Sequence, residues 1–340
     1  MDQESHVLAA MPELEDNDSK SWSFTGVPTR HNAVFLHGGW RCSSTYIWSR
    51  FRGSRYAMCF YEPFHEALAS CTRKTIHRDT YSSWSSRHPR LTQPYRQEYV
   101  SLLGRRGIPG YDQEFALARY FLPPEGIKPE TRYLARLVDA ASQAGKRAVF
   151  GFSRSLARSA ALKRALGGYH IVIRRNHLQQ WLSCRSYRVN EGSAYFEMCH
   201  FLVLALAPEN TPAGRVARHL GLPRPPPGHF RRQYDFLYRT LWPWTEEFSY
   251  RAFLAVHMLS YAIAKTPADL TIDMDRLHAN ESYGQRLRGA IFASTGLVLN
   301  FRDCRLGRHE TDQIRFDPVA IEADVLRALG QYGMVGHPNL

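Results

Sequence analysis

Short apolar runs alternate along the chain with polar turns and amphipathic stretches. Residues 33–37, 56–61, 147–152 and 169–173 are apolar without a two-residue period, the pattern of strands buried on both faces of a parallel sheet. Between them, residues 44–51, 129–146 and 156–166 read as helices. In the second of these, Tyr133, Leu134, Leu137, Val138 and Ala141 form one apolar face. Gly145 and the pair Gly167-Gly168 close the last two helices before the next strand begins. A fifth strand is expected at 270–274, and Thr245 is placed to cap a helix running to about residue 264. Strands joined by helical crossovers predict an α/β fold with a central parallel sheet flanked by helices, its ligand sites at the carboxyl ends of the strands.

The rest of the chain sets the domain reading. With 340 residues, 44% of them hydrophobic, one large core is expected over 31–325. Residues 1–30 read as an acidic, disordered leader without the apolar core of a secretory signal. An irregular, lid-like insertion is expected at 71–128, a Pro/Gly-rich loop at 208–227 and a tail at 326–340. The insertion carries the run from Tyr81 to His88, whose aromatic and basic residues read either as an acceptor lid or as a solvated loop. No apolar run is long enough for a membrane span; 201–207 is far too short. Six cysteines lie scattered without metal-ligand spacing, so no structural zinc site and a reducing, cytoplasmic setting are expected. The net charge is +13 although the first twenty residues hold six acids and one lysine. That surplus attracts anions. It is spread as arginine, without a lysine block or RNA-binding signature, so nucleic acid is not the expected partner.

Two stretches carry chemistry. The first is Val34-Phe35-Leu36-His37-Gly38-Gly39-Trp40-Arg41-Cys42-Ser43-Ser44-Thr45-Tyr46, a strand, a polar turn and the start of a helix. The second is Tyr169-His170-Ile171-Val172-Ile173-Arg174-Arg175-Asn176, with Ser183 eight positions after Arg175 on a helix expected from about 177 to 187. Each arrangement leaves backbone N–H groups at a helix N-terminus, where an anion can be held. Two such sites in one sheet suggest a ligand with phosphates at both ends. Counted from Gly38 against a Walker A loop, Ser43 replaces the second glycine and Ser44 the lysine, leaving Arg41 as the nearest cation. A serine-rich βα turn without a ligand is the plain alternative. Glu62, at the end of the second strand, reads as a carboxylate paired with an arginine or as a functional acid. Arg154, after the third strand, reads as an acceptor contact or as the partner of a neighbouring acid.

The first stretch resembles the 5′-phosphosulfate loop of sulfotransferases. Arg41 falls on that family's basic position, Cys42 on its Ser, Ser43 on its Gly, Ser44 and Thr45 on its hydroxyl pair and Tyr46 on its aromatic. Trp40, Cys42 and Ser43 depart from the pattern, and a positive φ at the family's glycine would strain Ser43. Arg175-Asn176 and Ser183 reproduce the family's spacing for the nucleotide 3′-phosphate. The resemblance implies a P-loop NTPase-like sulfotransferase fold. It implies sulfuryl transfer from 3′-phosphoadenosine-5′-phosphosulfate (PAPS) to a hydroxylated acceptor, with release of the bisphosphate product (PAP) and without a metal. In the carbohydrate and tyrosyl-protein branches a glutamate after the second strand is the base, which puts Glu62 in that role. No histidine follows the third strand, where the small-molecule branch carries its base. His65 and Arg154 are further candidates for acceptor or sulfuryl contact, and Arg305 and Arg308 fall in a basic segment of the kind that closes over the cofactor.

The acceptor stays open among carbohydrate, which is favoured, glycolipid, phenol and peptide tyrosine, and nothing specifies the oligomeric state. A P-loop-like kinase and a catalytically inactive nucleotide-binding protein are the alternative readings.

Overall fold

The computed structural model describes residues 32–78, 91–105, 107–121 and 124–331. The expected leader (1–30) and the aromatic run 81–88 lie outside the described residues. Five strands, β1 (Ala33–Gly38), β2 (Ala57–Tyr61), β3 (Arg147–Phe152), β4 (Tyr169–Arg174) and β5 (Leu270–Asp273), form one sheet in the order β2-β3-β1-β4-β5. Every pairing is parallel, with Phe35 opposite Phe150 on one side and His170 on the other.

Twelve helices are described: α1 (Ser44–Arg52), α2 (Arg73–Arg78), α3 (Lys128–Gln143), α4 (Ser159–Leu166), α5 (His177–Glu191), α6 (Tyr195–Ala205), α7 (Pro212–His219), α8 (Phe230–Leu241), α9 (Glu246–Lys265), α10 (Met274–Ala279), α11 (Glu281–Thr295) and α12 (Pro318–Leu329). Alternate strand residues face opposite layers, as the two-residue period of a strand requires. Val34, Leu36, Cys59, Val149 and Ile171 pack with Ile47, Trp48 and Phe51 of α1 and with Leu287 and Ile291 of α11. Phe35, Phe60, Phe150 and Phe152 pack on the other face with Leu134 and Leu137 of α3 and Leu162 of α4. α1 therefore leaves β1 toward one face, while α3 and α4, on either side of β3 in the chain, cover the other. The strand order changes direction beside β1, between β3 and β4, and the carboxyl end at such a point is where sheets of this kind bind ligands.

Three expectations change. The loop expected at 208–227 contains α7, because Thr211 caps it by accepting from Gly214 N and Pro212 supplies a pre-set φ at its first turn. Its Ala213, Val216 and Ala217 are buried. The described parts of the expected insertion are packed rather than lid-like: Tyr95, Tyr99, Phe115, Leu117 and Tyr120 are buried in the core. The expected tail begins inside α12, which runs to a buried Leu329; residues 332–340 lie outside the described residues. No helix among the described residues is long and apolar enough to cross a membrane.

Candidate functional site

The turn from β1 into α1 is held from behind by two helices. Gln180 of α5 donates from Nε2 to the Trp40 carbonyl at 2.8 Å. Tyr261 of α9 accepts from Gly39 N at 3.4 Å and donates to the Ile173 carbonyl at 2.7 Å. Gly39 is required by this approach, because a Cβ there would lie 2.7 Å from Gln180 Nε2. The helix that follows starts without a side-chain cap from Ser43 and without an acidic residue in its first turn.

Among the described residues, three other than glycine have positive φ: Arg41 (65°), Ser43 (71°) and Glu62 (47°). Each such residue costs about 1–3 kcal/mol, and such strain gathers where a site needs it. All three are residues singled out for chemistry from the sequence. Ser43 takes the left-handed conformation that a glycine would adopt freely.

The side chains of the turn divide between core and site. Cys42 is fully buried, its thiol pushed up by burial and hydrogen-bonded by Ser44. Its side chain thus faces the core, and its N–H donates to the Gly39 carbonyl at 3.4 Å. Thr45 Oγ1 lies 3.2 Å from the Tyr61 hydroxyl. Tyr46 turns outward and donates to Asp303 at 2.9 Å, tying α1 to the segment 302–310.

The two sequence motifs meet in space. Asn176 caps α5 by accepting from Gln179 N, so α5 begins directly behind Arg175. Ser183 returns two turns later to accept from Arg41 Nε at 3.0 Å. Arg175 donates to the Arg41 carbonyl at 3.4 Å and to the Gly307 carbonyl. Its Nε is buried without a partner, and no carboxylate lies within ion-pair distance of it among the described residues. Burial lowers its proton affinity against the opposing pull of Asp275, and Arg41 nearby lowers it further. A buried guanidinium nitrogen of this kind can donate to an anion. His309 exchanges two backbone hydrogen bonds with the Gln179 amide, so the basic segment lies over the start of α5. Arg305 and Arg308 are themselves exposed on that segment.

Glu62 sits at the end of β2, where its N–H extends the ladder to Gly151. Its Oε2 accepts from Ser153 N at 3.1 Å, Ser153 Oγ at 2.9 Å and Arg154 at 3.1 Å. Burial pushes this carboxyl up, against the downward pull of Arg154 and the Ser153 donors. Arg154 is 1% exposed and also binds Glu66 at 3.1 Å and the Tyr195 hydroxyl at 2.5 Å, with Trp40 beside it. Of the two readings of Arg154, the structure shows the partner of neighbouring acids. His65 is turned to local structure, its Nδ1 accepting from Ala67 N. Burial drives its proton affinity well below the ordinary value, so it is neutral near pH 7. Behind Arg154, a chain of hydrogen bonds crosses the sheet from Ser155 through His37 (2.6 Å) and His170 (2.9 Å) to the Gly167 carbonyl (2.8 Å). The Gly167 carbonyl can only accept, so His170 donates to it from Nε2.

Sequence reasoning did not single out Gln180, Tyr261, Glu66 or Tyr195, which hold the turn and the acidic network from distant elements. Glu66, four positions beyond Glu62 and next to His65, carried the one local signal. No protein-family model matches the chain, and neither curated proteins nor solved structures show a significant likeness to it.

Proposed function

We propose that this protein is a PAPS-dependent sulfotransferase that sulfates a hydroxyl of a carbohydrate or another small acceptor, on a P-loop-like version of the parallel sheet. The observation that carries the reading is the Arg41–Ser183 hydrogen bond, which joins residues 142 positions apart from two motifs read separately. Fit is supported by the uncapped start of α1 and by the unpartnered, buried Nε of Arg175.

In this reading PAPS supplies the activated sulfuryl group. Arg175 and Ser183 hold the 3′-phosphate. The turn at Cys42 and Ser43, with Ser44, Thr45 and Arg41, holds the 5′ end. Glu62 removes the acceptor proton, a role that typically contributes about 10²–10⁴-fold. Arg154 and Ser153 keep that carboxylate aimed, and Glu66 balances the second half of the Arg154 charge. Burial raises the basicity of Glu62 toward what such a base needs. Cys42, Cys59, Cys184, Cys199 and Cys304 are buried as thiols, which supports a reducing, cytoplasmic setting.

One observation favours the catalytically inactive reading: the three donors on Glu62 Oε2 lower its appetite for a proton. The kinase reading lacks a lysine at Ser44. The test is transfer of labelled sulfate from PAPS to hydroxylated acceptors, carbohydrates first, by the wild type and Glu62→Gln. Transfer by the wild type alone supports the proposal. Bisphosphate binding without transfer to any acceptor class sinks the enzymatic claim, and γ-phosphate transfer from ATP replaces it with a kinase.

A further inference from the structure

A second cationic cleft lies at the opposite end of α1 from the turn. It encloses about 460 Å³ and is lined by Ser49 and Arg50 of α1, Arg288 of α11, and Val298, Asn300 and Arg302 of the following segment. That volume falls within the range of small-molecule sites. Three arginines from three elements therefore line it, and none of the residues lining the cleft is an acid.

The cations are largely uncompensated. Arg288 and Arg302 have no carboxylate within ion-pair distance among the described residues. Arg50 gives one nitrogen to the exposed Asp303 at 3.0 Å. The Nε atoms of Arg50 and Arg288 are both buried without a hydrogen-bond partner. An adjoining cleft of about 380 Å³ shares Arg288 and Arg302 and adds Arg305, but Glu281 lines it and weakens it as an anion site. The carboxyl end of α1 brings about half a negative charge toward the first cleft, which the charges of Arg288 and Arg302 exceed. Val298 is 68% exposed beside the arginines and gives the cleft an apolar wall.

We propose that this cleft binds a small organic phosphate or sulfate ester, its oxyanion gripped by the planar forks of Arg288 and Arg302 and its organic part lying against Val298. Guanidinium forks suit tetrahedral oxyanions because they can donate two parallel hydrogen bonds. The apolar wall favours an ester over a bare ion. The site is separate from the Arg41–Arg175–Ser183 cluster and does not depend on the sulfotransferase reading.

Calorimetric titration of the full chain with phenyl phosphate, phenyl sulfate and inorganic phosphate tests it. Arg175→Gln serves as the background in which the other anion site is disabled. The expected result is saturable binding of an ester in Arg175→Gln, tighter than inorganic phosphate. Adding the exposed change Arg302→Gln should weaken it at least tenfold, and adding Arg288→Gln should remove it, with the ligand-free melting temperature unchanged. The proposal is overturned if no ester binds, if binding survives loss of both arginines, or if Arg175→Gln alone abolishes it. Equal affinity for inorganic phosphate would overturn the role of the apolar wall.

Discussion

Arg41 Nε donates to the Ser183 hydroxyl at 3.0 Å, and Arg175 reaches the carbonyl of the same Arg41. Two cations are thereby held together at the carboxyl ends of β1 and β4, one of them buried with an empty Nε. Such a concentration of positive charge is costly without an anion and productive with one.

Replacing Arg175 separates these two effects. Arg175→Gln should leave the ligand-free protein as stable as the wild type or slightly more so, because a buried charge is removed. Its affinity for 3′,5′-adenosine bisphosphate should fall roughly tenfold to a hundredfold, the worth of a charge-assisted hydrogen bond. Melting curves and calorimetric titration read the two quantities. Lost stability with unchanged affinity would make Arg175 a structural residue.

Ser43 occupies a left-handed conformation at φ 71°. Ser43→Gly should therefore stabilise the protein by about 1 kcal/mol, less the entropy that glycine adds to the unfolded chain. The midpoint of denaturant unfolding measures this. A destabilised variant would show that the Ser43 side chain contributes something the backbone argument omits.

Arg154 stands between Glu62 and Glu66. Arg154→Met leaves the buried carboxylate of Glu62 and the partly buried one of Glu66 without their cation and should cost about 3–5 kcal/mol. The paired change Arg154→Met with Glu62→Gln and Glu66→Gln should recover much of that loss, since no buried charge is then left alone. Thermal unfolding of both variants decides the matter; equal losses would mean that Arg154 acts by packing alone.

Glu66 and Glu62 titrate in opposite directions. Burial raises both, but for Glu66 the pull of His65, Arg154 and the Tyr195 hydroxyl prevails and brings it to about 2. With His65 neutral near pH 7, Arg154 and Tyr195 are the partners that act there. A lowered carboxyl stabilises the fold above its unfolded value and loses that contribution as pH falls toward about 2. The stability gap between wild type and Glu66→Gln should thus be full at pH 7 and close between the ordinary carboxylate range and pH 2. For Glu62, raised by burial, the sign is reversed, and removing its charge should help stability at neutral pH while abolishing turnover. A gap that does not change with pH would show that Glu66 is not the titrating partner of Arg154.

The strands were legible because a buried parallel sheet writes its pattern locally: each apolar run ends at a polar turn. β5 needed little correction, ending at Asp273, whose carboxylate caps α10. α7 was hidden because prolines and glycines surround it, although Thr211-Pro212 is a local start signal. The turn residues 41–45 and the pair Arg175 and Ser183 could be picked out because each stands at a fixed spacing from the end of a strand and the start of a helix. Gln180, Tyr261 and Tyr195 could not, since their roles depend on which helix face meets the turn, and that is set by packing between distant segments. The ambiguity of Arg154 had the same origin, for both of its acidic partners come from the end of another strand.

The central claim is that Arg175 and Ser183 read a 3′-phosphate. Thermal unfolding of the purified chain with 3′,5′-adenosine bisphosphate, ADP and ATP with magnesium tests it most directly. At about 100 times its dissociation constant a ligand stabilises the fold by about 2.7 kcal/mol, a shift easily seen. Stabilisation by the bisphosphate alone, absent in Arg175→Gln, is the predicted result. Stabilisation by ATP with magnesium alone, or by none of the three, would contradict it.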